Sequence, residues 1–242
     1  MKIYVVTRAR PGLQLTGGQL QAAEIPYLYA VSKNDTKGYP SGECEVFKAF
    51  GISDKRQAVM EANPNKFVML DDDIKFLVRI GGAGSGKTEK CTTDQLVQLF
   101  QKIEGLLDNY QLVGVAERFM INHRPYPANY NCRQVHLFGI DGAWMKKKGI
   151  RFDRVPVAED HDFVMQVIAA GGKQILITDF CHQDAPMFLP GGCGEWRTRK
   201  IHNDGHLKFH QLWPNFTGIR EQDGMLRVQV AWKKLAKHYA KN

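Results

Sequence analysis

Three consecutive aspartates, Asp71, Asp72 and Asp73, follow the apolar run Lys66-Phe67-Val68-Met69-Leu70. Such a run reads as a buried strand, and α/β sheets bind ligands at the C-terminal ends of their strands. Carboxylates two positions apart can share one hard divalent cation and leave coordination positions for phosphate oxygens. A departing diphosphate needs that kind of charge sink. The spacing therefore points to Asp71 and Asp73 as ligands of manganese or magnesium, with Asp72 supporting them or facing a sugar. The plain alternative is a polar loop or a helix cap, although three adjacent carboxylates repel one another when nothing neutralises them.

A second string competes. Gly81-Gly82-Ala83-Gly84-Ser85-Gly86-Lys87-Thr88 fits the phosphate-cradling pattern GxxxxGK[ST] at every position. Taken alone, it would make the chain a nucleotide kinase or ATPase using Lys87 and Thr88. Its surroundings argue otherwise. A phosphate-cradling loop joins a buried strand to a helix that begins at once. Here the preceding run, Ile74 to Ile80, interleaves Lys75 and Arg79 with apolar residues, and the next good helix cap is Thr93-Asp94. Only seven residues separate Asp73 from Gly81, whereas a parallel crossover needs about a dozen or more. The expectation is a glycine-rich surface loop near the site.

The elements that must position these residues alternate along the chain. Strands are expected at residues 2–7, 27–31, 66–70, 74–80, 112–116, 133–140 and 173–178. Helices are expected from Ser53 or Asp54 to Ala62, from Thr93 through Leu107, and from Asp162 to Ala170, where Gly171-Gly172 stops the last. The alternation predicts an α/β domain. Met225 to Ala236 is amphipathic and followed by lysines. We therefore expect a domain over residues 1–217 and a basic amphipathic helix, within 218–242, packed on it. His202, His206 and His210 would form one stripe on a helix, but Gly205 and Pro214 argue for a loop-rich segment.

Taken in order, these pieces resemble the GT-A glycosyltransferases over roughly residues 1–185. The first strand ends in Thr7-Arg8-Ala9-Arg10, Gly51 to Arg56 opens a helix bearing a basic residue, and Asp71-Asp72-Asp73 matches the family's DxD motif. Glu159-Asp160-His161-Asp162 then precedes a helix, and Cys181-His182 follows the last expected strand. The resemblance implies a Rossmann-like mixed sheet flanked by helices, in a single domain with a basic C-terminal extension. It implies that Thr7, Arg8, Arg10, Arg56 and Asp72 enclose a nucleotide-sugar, a UDP-sugar, and that His182 joins Asp71 and Asp73 on the cation. It also implies that Asp160, or alternatively Asp162, takes the acceptor's proton if the transfer inverts the sugar, and that Asp160 positions the acceptor if it retains. A negatively charged helix N-terminus would explain Glu159 and Asp160 equally well. Within GT-A, the chain is most similar to the phage TET-associated glycosyltransferases, which implies 5-hydroxymethylcytosine in DNA as the acceptor; a GT-A enzyme with a non-DNA hydroxyl acceptor is the alternative.

Composition bears on the acceptor. The chain has 242 residues and a net charge of +8, which favours a polyanionic partner or serves solubility alone. Lysines and arginines cluster at Lys146 to Arg154, at Arg197 to Lys200 and in the C-terminal helix. Trp144, Lys147, Arg151, Trp196, Arg197 and Arg199 are the expected acceptor contacts: the cations meet phosphates and a tryptophan stacks on an unpaired base. The third reading is a DNA-binding module with no catalysis. No window approaches the length of a membrane span. The first residues show no secretory pattern, and the five cysteines lack paired spacing, so a cytoplasmic location is expected, that of the host for a viral protein.

Overall fold

The computed structural model describes residues 1–8, 10–12, 14–40, 43–49, 51–184 and 197–240. Trp196 lies outside them. Strands β1 (Lys2–Val6), β2 (Leu28–Ser32), β3 (Cys44–Phe47) and β4 (Lys66–Asp71) form a parallel block in the order β3-β2-β1-β4. The segments β5 (Ile74–Arg79) and β6 (Thr88–Lys90) leave this block and pair at the far edge of the same sheet. Between the two parts lie β7 (Leu112–Glu117), β9 (Leu137–Asp141) and β10 (Gln174–Asp184), with the short β8 (Ala128–Tyr130) paired to β10. Strand β9 is antiparallel to both β4 and β7, and β10 runs parallel to β7. The sheet is therefore mixed, in the order β3-β2-β1-β4-β9-β7-β10-β5-β6.

Alternation along the strands divides the core in two. Tyr4, Val6, Phe67 and Met69 point to one face, where they meet Val59 and Met60 of α2 (Ile52–Ala62) and Phe163 and Val167 of α5 (Glu159–Ala169). Ile3, Val5, Val68 and Leu70 point to the other, against Leu20 of α1 (Leu15–Ala22) and Leu99, Phe100 and Ile103 of α3 (Thr93–Leu106). Helix α3 is capped one residue earlier than its sequence suggests. The Thr92 hydroxyl accepts from the Gln95 N–H at 3.2 Å, and the Gln95 side chain accepts from the Thr92 N–H at 2.9 Å, a reciprocal capping box.

The phosphate-cradle reading of Gly81 to Thr88 fails on its flanks. The string is the connection of an antiparallel hairpin: Arg79 pairs with Thr88, and the Ile80 N–H donates to the Lys87 carbonyl at 3.0 Å. Thr88 starts β6 and not a helix, so there is no helix N-terminus to receive a phosphate. Gly81, Gly82 and Gly84 have φ of +80°, +72° and +83°, values that glycine adopts without a Cβ penalty. The glycines serve the turn.

Two expectations for the C-terminal part are also corrected. The histidine segment is a regular helix, α6 (Arg199–Leu212). Gly205 is tolerated there because it lets the helix lie on the 156–157 loop; a Cβ at this position would come within 2.9 Å of Val157. The amphipathic run Met225 to Ala236 is not one helix. Met225–Val230 is β12, paired with β11 (Thr217–Gln222) in a separate hairpin, and only then does α7 (Trp232–Tyr239) begin.

Candidate active site

Four neighbouring strands bring charged residues to one edge of the sheet. Asp71 ends β4, Glu117 ends β7, Asp184 ends β10, and His136 immediately precedes the antiparallel β9. His136 is tied to the aspartate run at the backbone, where the Asp71 N–H donates to its carbonyl at 2.9 Å. Its φ is +63°, an unfavourable conformation for a residue with a Cβ, and such strain concentrates at functional sites. The Cα register between β7 and β10 shifts between Ile177 and Cys181. The shift places His182 opposite Glu117 and lets β10 continue six residues beyond the expected strand end.

Each aspartate of the run has a different environment. Asp71 meets Arg56 through Oδ1 at 2.5 Å and His136 Nδ1 through Oδ2 at 2.8 Å. Burial opposes its charge, but Arg56 and His136 outweigh that and hold its pKa down at about 2. Asp72 is buried under the end of β1, where Thr7 donates to its Oδ2 at 2.5 Å. Burial pushes its pKa up to about 7. Asp73 accepts from Arg10 Nη1 at 2.8 Å. Arg56 is 3% exposed and bridges Asp71 to Glu159, the latter at 2.8 Å. Its burial would lower its pKa, yet the carboxylates around it raise it.

Two cavities share Asp71. The smaller, about 150 Å³, is lined by Arg8, Arg10, Lys55 and all three aspartates. The larger, about 330 Å³, is lined by Arg56, Arg133, His136, Asp160, Arg197 and His206, among others. Asp160 stands in the first turn of α5 after Ala158, whose φ is +59°. Its Oδ1 lies 2.9 Å from His161 Nδ1. Burial would raise its pKa, but His161, Arg56 and His136 lower it, so the carboxylate is ionised at neutral pH. Asp162 faces the other way. It is fully buried, with Trp213 Nε1 donating at 2.6 Å and Gln166 Nε2 at 2.9 Å. It anchors the end of α6 to α5 and cannot receive a substrate proton there.

The expected acceptor contacts separate. Arg197 lines the larger cavity. Arg199 starts α6, its guanidinium beside the β11–β12 turn at Gly224. Trp144 and Lys147 do not reach the site: they lie on α4 (Gly142–Lys148), after the end of β9 that pairs with the beginning of β4, at the opposite edge of the sheet. Arg151 lines a different cavity, with Gln57, Met60 and Lys146. Among the described tryptophans, Trp232 does approach, its ring 5.9 Å from that of His161.

The donors at this edge are carboxylate oxygens and imidazole nitrogens, which suit a divalent cation such as manganese. Among the described residues, the group whose ligand atoms come together, all within 4.8 Å, is Glu117, His136 and Asp184. The expected set Asp71, Asp73 and His182 is not gathered in this way, since Asp73 turns to Arg10 and His182 Nδ1 lies 3.2 Å from Asp184. Sequence reasoning missed Glu117, His136 and Asp184. Glu117 carries the same signal as Asp71, a carboxylate ending an apolar run.

A parallel block ending in β4, followed by the antiparallel β9 and acidic residues at the strand ends, is the GT-A arrangement. The family follows from the sequence profile of the TET-associated glycosyltransferases, which matches residues 1–185: the chain belongs to this family. No curated protein sequence matches it. Among solved structures it is similar to S. aureus TarS 1-349, with a TM-score of 0.47 and 10% identity over 86% of this chain and 65% of that one. It is similar to the same protein in complex with UDP, with a TM-score of 0.43, 10% identity and the same coverage. A putative nucleotide-diphospho-sugar transferase from Desulfovibrio desulfuricans G20 gives 0.41 and 12% over 73% of this chain and 78% of that one. The chain thus spans less than two thirds of the TarS chain it matches.

Proposed function

We propose that the enzyme moves a sugar from a UDP-sugar to the hydroxyl of 5-hydroxymethylcytosine in DNA, with manganese or magnesium at the acidic strand ends. The observation that carries this reading is the pair of cavities meeting at Asp71. One is basic-walled with carboxylates at its floor, as a nucleotide diphosphate requires. The other holds an ionised carboxylate beside cationic side chains, as a hydroxyl on a polyanion requires. When bound, the cation supplies positive charge to the leaving diphosphate.

The chain's own groups do the rest. Arg8, Arg10 and Lys55 line the donor cavity and meet the nucleotide's phosphates, while Thr7 fixes the Asp72 carboxyl beneath them. Asp160 accepts the acceptor's proton as the hydroxyl oxygen bonds to the anomeric carbon and the bond from that carbon to the diphosphate oxygen breaks, an inverting transfer. Arg56 ties the donor carboxylate Asp71 to Glu159, next to the base, and so holds the two halves of the site in register. Arg133 and Arg197 line the acceptor cavity and offer charge to DNA phosphates.

The test is incubation with manganese, a panel of nucleotide-sugars and DNA containing either cytosine or 5-hydroxymethylcytosine, followed by mass spectrometry of the nucleosides. A hexose or N-acetylhexosamine increment confined to the hydroxymethylated base is expected. Hydrolysis of a UDP-sugar with no modified nucleoside would overturn the DNA acceptor and leave the donor assignment standing.

A further inference from the structure

We infer that Arg133 and His161 are positioning residues for the general base: Arg133 fixes the tautomer of His161, and His161 fixes which oxygen of Asp160 meets the acceptor. This rests on the reading of Asp160 as the base. The residues come from different parts of the fold. Arg133 lies between β8 and β9, and His161 follows Asp160 in the first turn of α5. Arg133 Nη1 donates to Glu117 Oε2 at the end of β7. The Arg133 Nε–H donates to His161 Nε2 at 3.1 Å, and His161 Nδ1 lies 2.9 Å from Asp160 Oδ1. A chain of bonds thus runs from a central strand of the sheet to the base.

The guanidinium gives this chain its direction. Arginine stays protonated and offers only donors. His161 Nε2 must therefore accept, so the ring is neutral and carries its proton on Nδ1. That proton is donated to Asp160 Oδ1, which also accepts from the His161 backbone N–H at 2.8 Å. Two donors hold Oδ1, and Oδ2 is the oxygen left to take the acceptor's proton. His161 does not relay that proton, because Nδ1 already holds one and Nε2 is occupied by Arg133. In the transfer the hydroxyl proton goes to Asp160 Oδ2. The hydroxyl oxygen bonds to the anomeric carbon, and the bond from that carbon to the diphosphate oxygen breaks. Arg133 and His161 end as they began.

The imidazole is also held from the C-terminal side. The Trp232 ring of α7 lies 5.9 Å from it at 30°, and the Phe209 ring of α6 lies 6.4 Å away. Both helices follow residue 185, where the family profile ends. The base is therefore aimed jointly by the sheet, through Glu117 and Arg133, and by the helices that pack over α5. Arg133 suits this task because its planar fork meets two partners at a fixed angle, which a lysine ammonium does not reproduce. Its Nη2 is used by neither bond, so Arg133 still presents charge to the acceptor cavity that it lines. Such aiming matters to rate, since a displacement of about 1 Å can cost about 100-fold.

The test has two parts. The first needs no substrate: long-range proton–nitrogen NMR reads the imidazole nitrogens of the full chain, with His161 assigned by the loss of its signals in His161→Asn. At neutral pH the wild-type ring should be neutral with its proton on Nδ1, and Arg133→Met should free Nε2 to take a proton. A proton on Nε2 in wild type, or an unaltered ring in Arg133→Met, would overturn the inference. The second part is steady-state transfer. His161→Leu should lower kcat about 100-fold and leave KM for the UDP-sugar within about twofold. His161→Asn, whose amide donates from near the Nδ1 position, should recover most of the loss. Arg133→Lys keeps the charge without the fork and should fall as far as Arg133→Met; full activity in Arg133→Lys would reduce Arg133 to a charge and overturn its role. Should Arg133→Met fail to fold with Glu117 unpaired, Arg133→Lys and the two His161 variants carry the test. Added to Asp160→Asn, His161→Leu should cost less than about threefold more, because groups that act as a unit are not additive. A second full loss there would make His161 independent of the base and overturn the inference. Wild-type kcat in Asp160→Asn alone would instead overturn the base assignment, and the inference with it.

Discussion

Asp160 and Asp162 lie two residues apart in one helical turn, yet their surroundings give them different work. Asp162 is bonded by Trp213 and Gln166 and holds two helices together, while Asp160 lines the larger cavity. Asp160→Asn should therefore lower kcat by about 100- to 10,000-fold, the usual worth of a general base, with little change in KM for the UDP-sugar. Steady-state kinetics with either substrate varied checks this; a fall confined to KM would make Asp160 a binding group. Arg56 is a different case, because its value lies in geometry. One planar guanidinium reaches Asp71 and Glu159 at once, which a lysine ammonium cannot reproduce. Arg56→Met leaves the buried Glu159 without its cation and Asp71 with His136 alone. Breaking a buried pair in this way costs about 3–5 kcal/mol, which chemical denaturation should register as a lower midpoint. Arg56→Lys should recover only part of it.

At the scale of elements, the hairpin between β5 and β6 explains why a string can match a motif and not carry its function. Lys87 sits in an exposed turn followed by a strand, so Lys87→Ala should leave sugar transfer within about twofold, the small effect expected of an exposed substitution. A loss of activity would reopen the phosphate-cradle reading. Much of the sheet was legible because its strands are apolar runs, and the aspartates and Glu159-Asp160 stood at their ends or at a helix start. What was not legible depends on partners distant in sequence. His136 reads as part of a strand until its left-handed backbone is seen, and Asp184 belongs to a strand whose later half is defined by pairing with β5. Helix α6 was hidden by Gly205, whose cost is offset by close packing on Val157. That packing has a pH consequence. Burial, helped by His202, His161 and Arg197, lowers the His206 pKa to about 4, against about 6.5 in an unfolded chain. The unfolded state then binds the extra proton first, so stability is full above pH 6.5 and declines as the pH falls from there towards 4. His206→Gln should flatten the dependence of Tm on pH across that window.

The whole molecule carries its charge unevenly with respect to the site. The net charge is +8, although the strand ends are acidic. Lys233, Lys234 and Lys237 are exposed on α7, whose first residue, Trp232, lies beside His161 at the larger cavity. A DNA strand entering that cavity would therefore pass from a basic surface to an anionic centre screened by Arg133, Arg197 and Arg56. On the proposed reading, such an arrangement would bind the phosphate backbone outside and leave one base to approach Asp160. Phosphate contacts release counterions, so log K should fall linearly with log salt, by about 0.9 for each phosphate neutralised on duplex DNA. Replacing Lys233, Lys234 and Lys237 by glutamine should weaken DNA binding without regard to sequence and reduce the slope by up to about 3, one step per lysine. Hydrolysis of the UDP-sugar in the absence of DNA should not change, because no residue of α7 lines the donor cavity. Fluorescence anisotropy over a salt series measures the slope. An unchanged slope would make this face a solvated one and move the polyanion contact to Arg133 and Arg197, whose substitution would then carry the salt dependence.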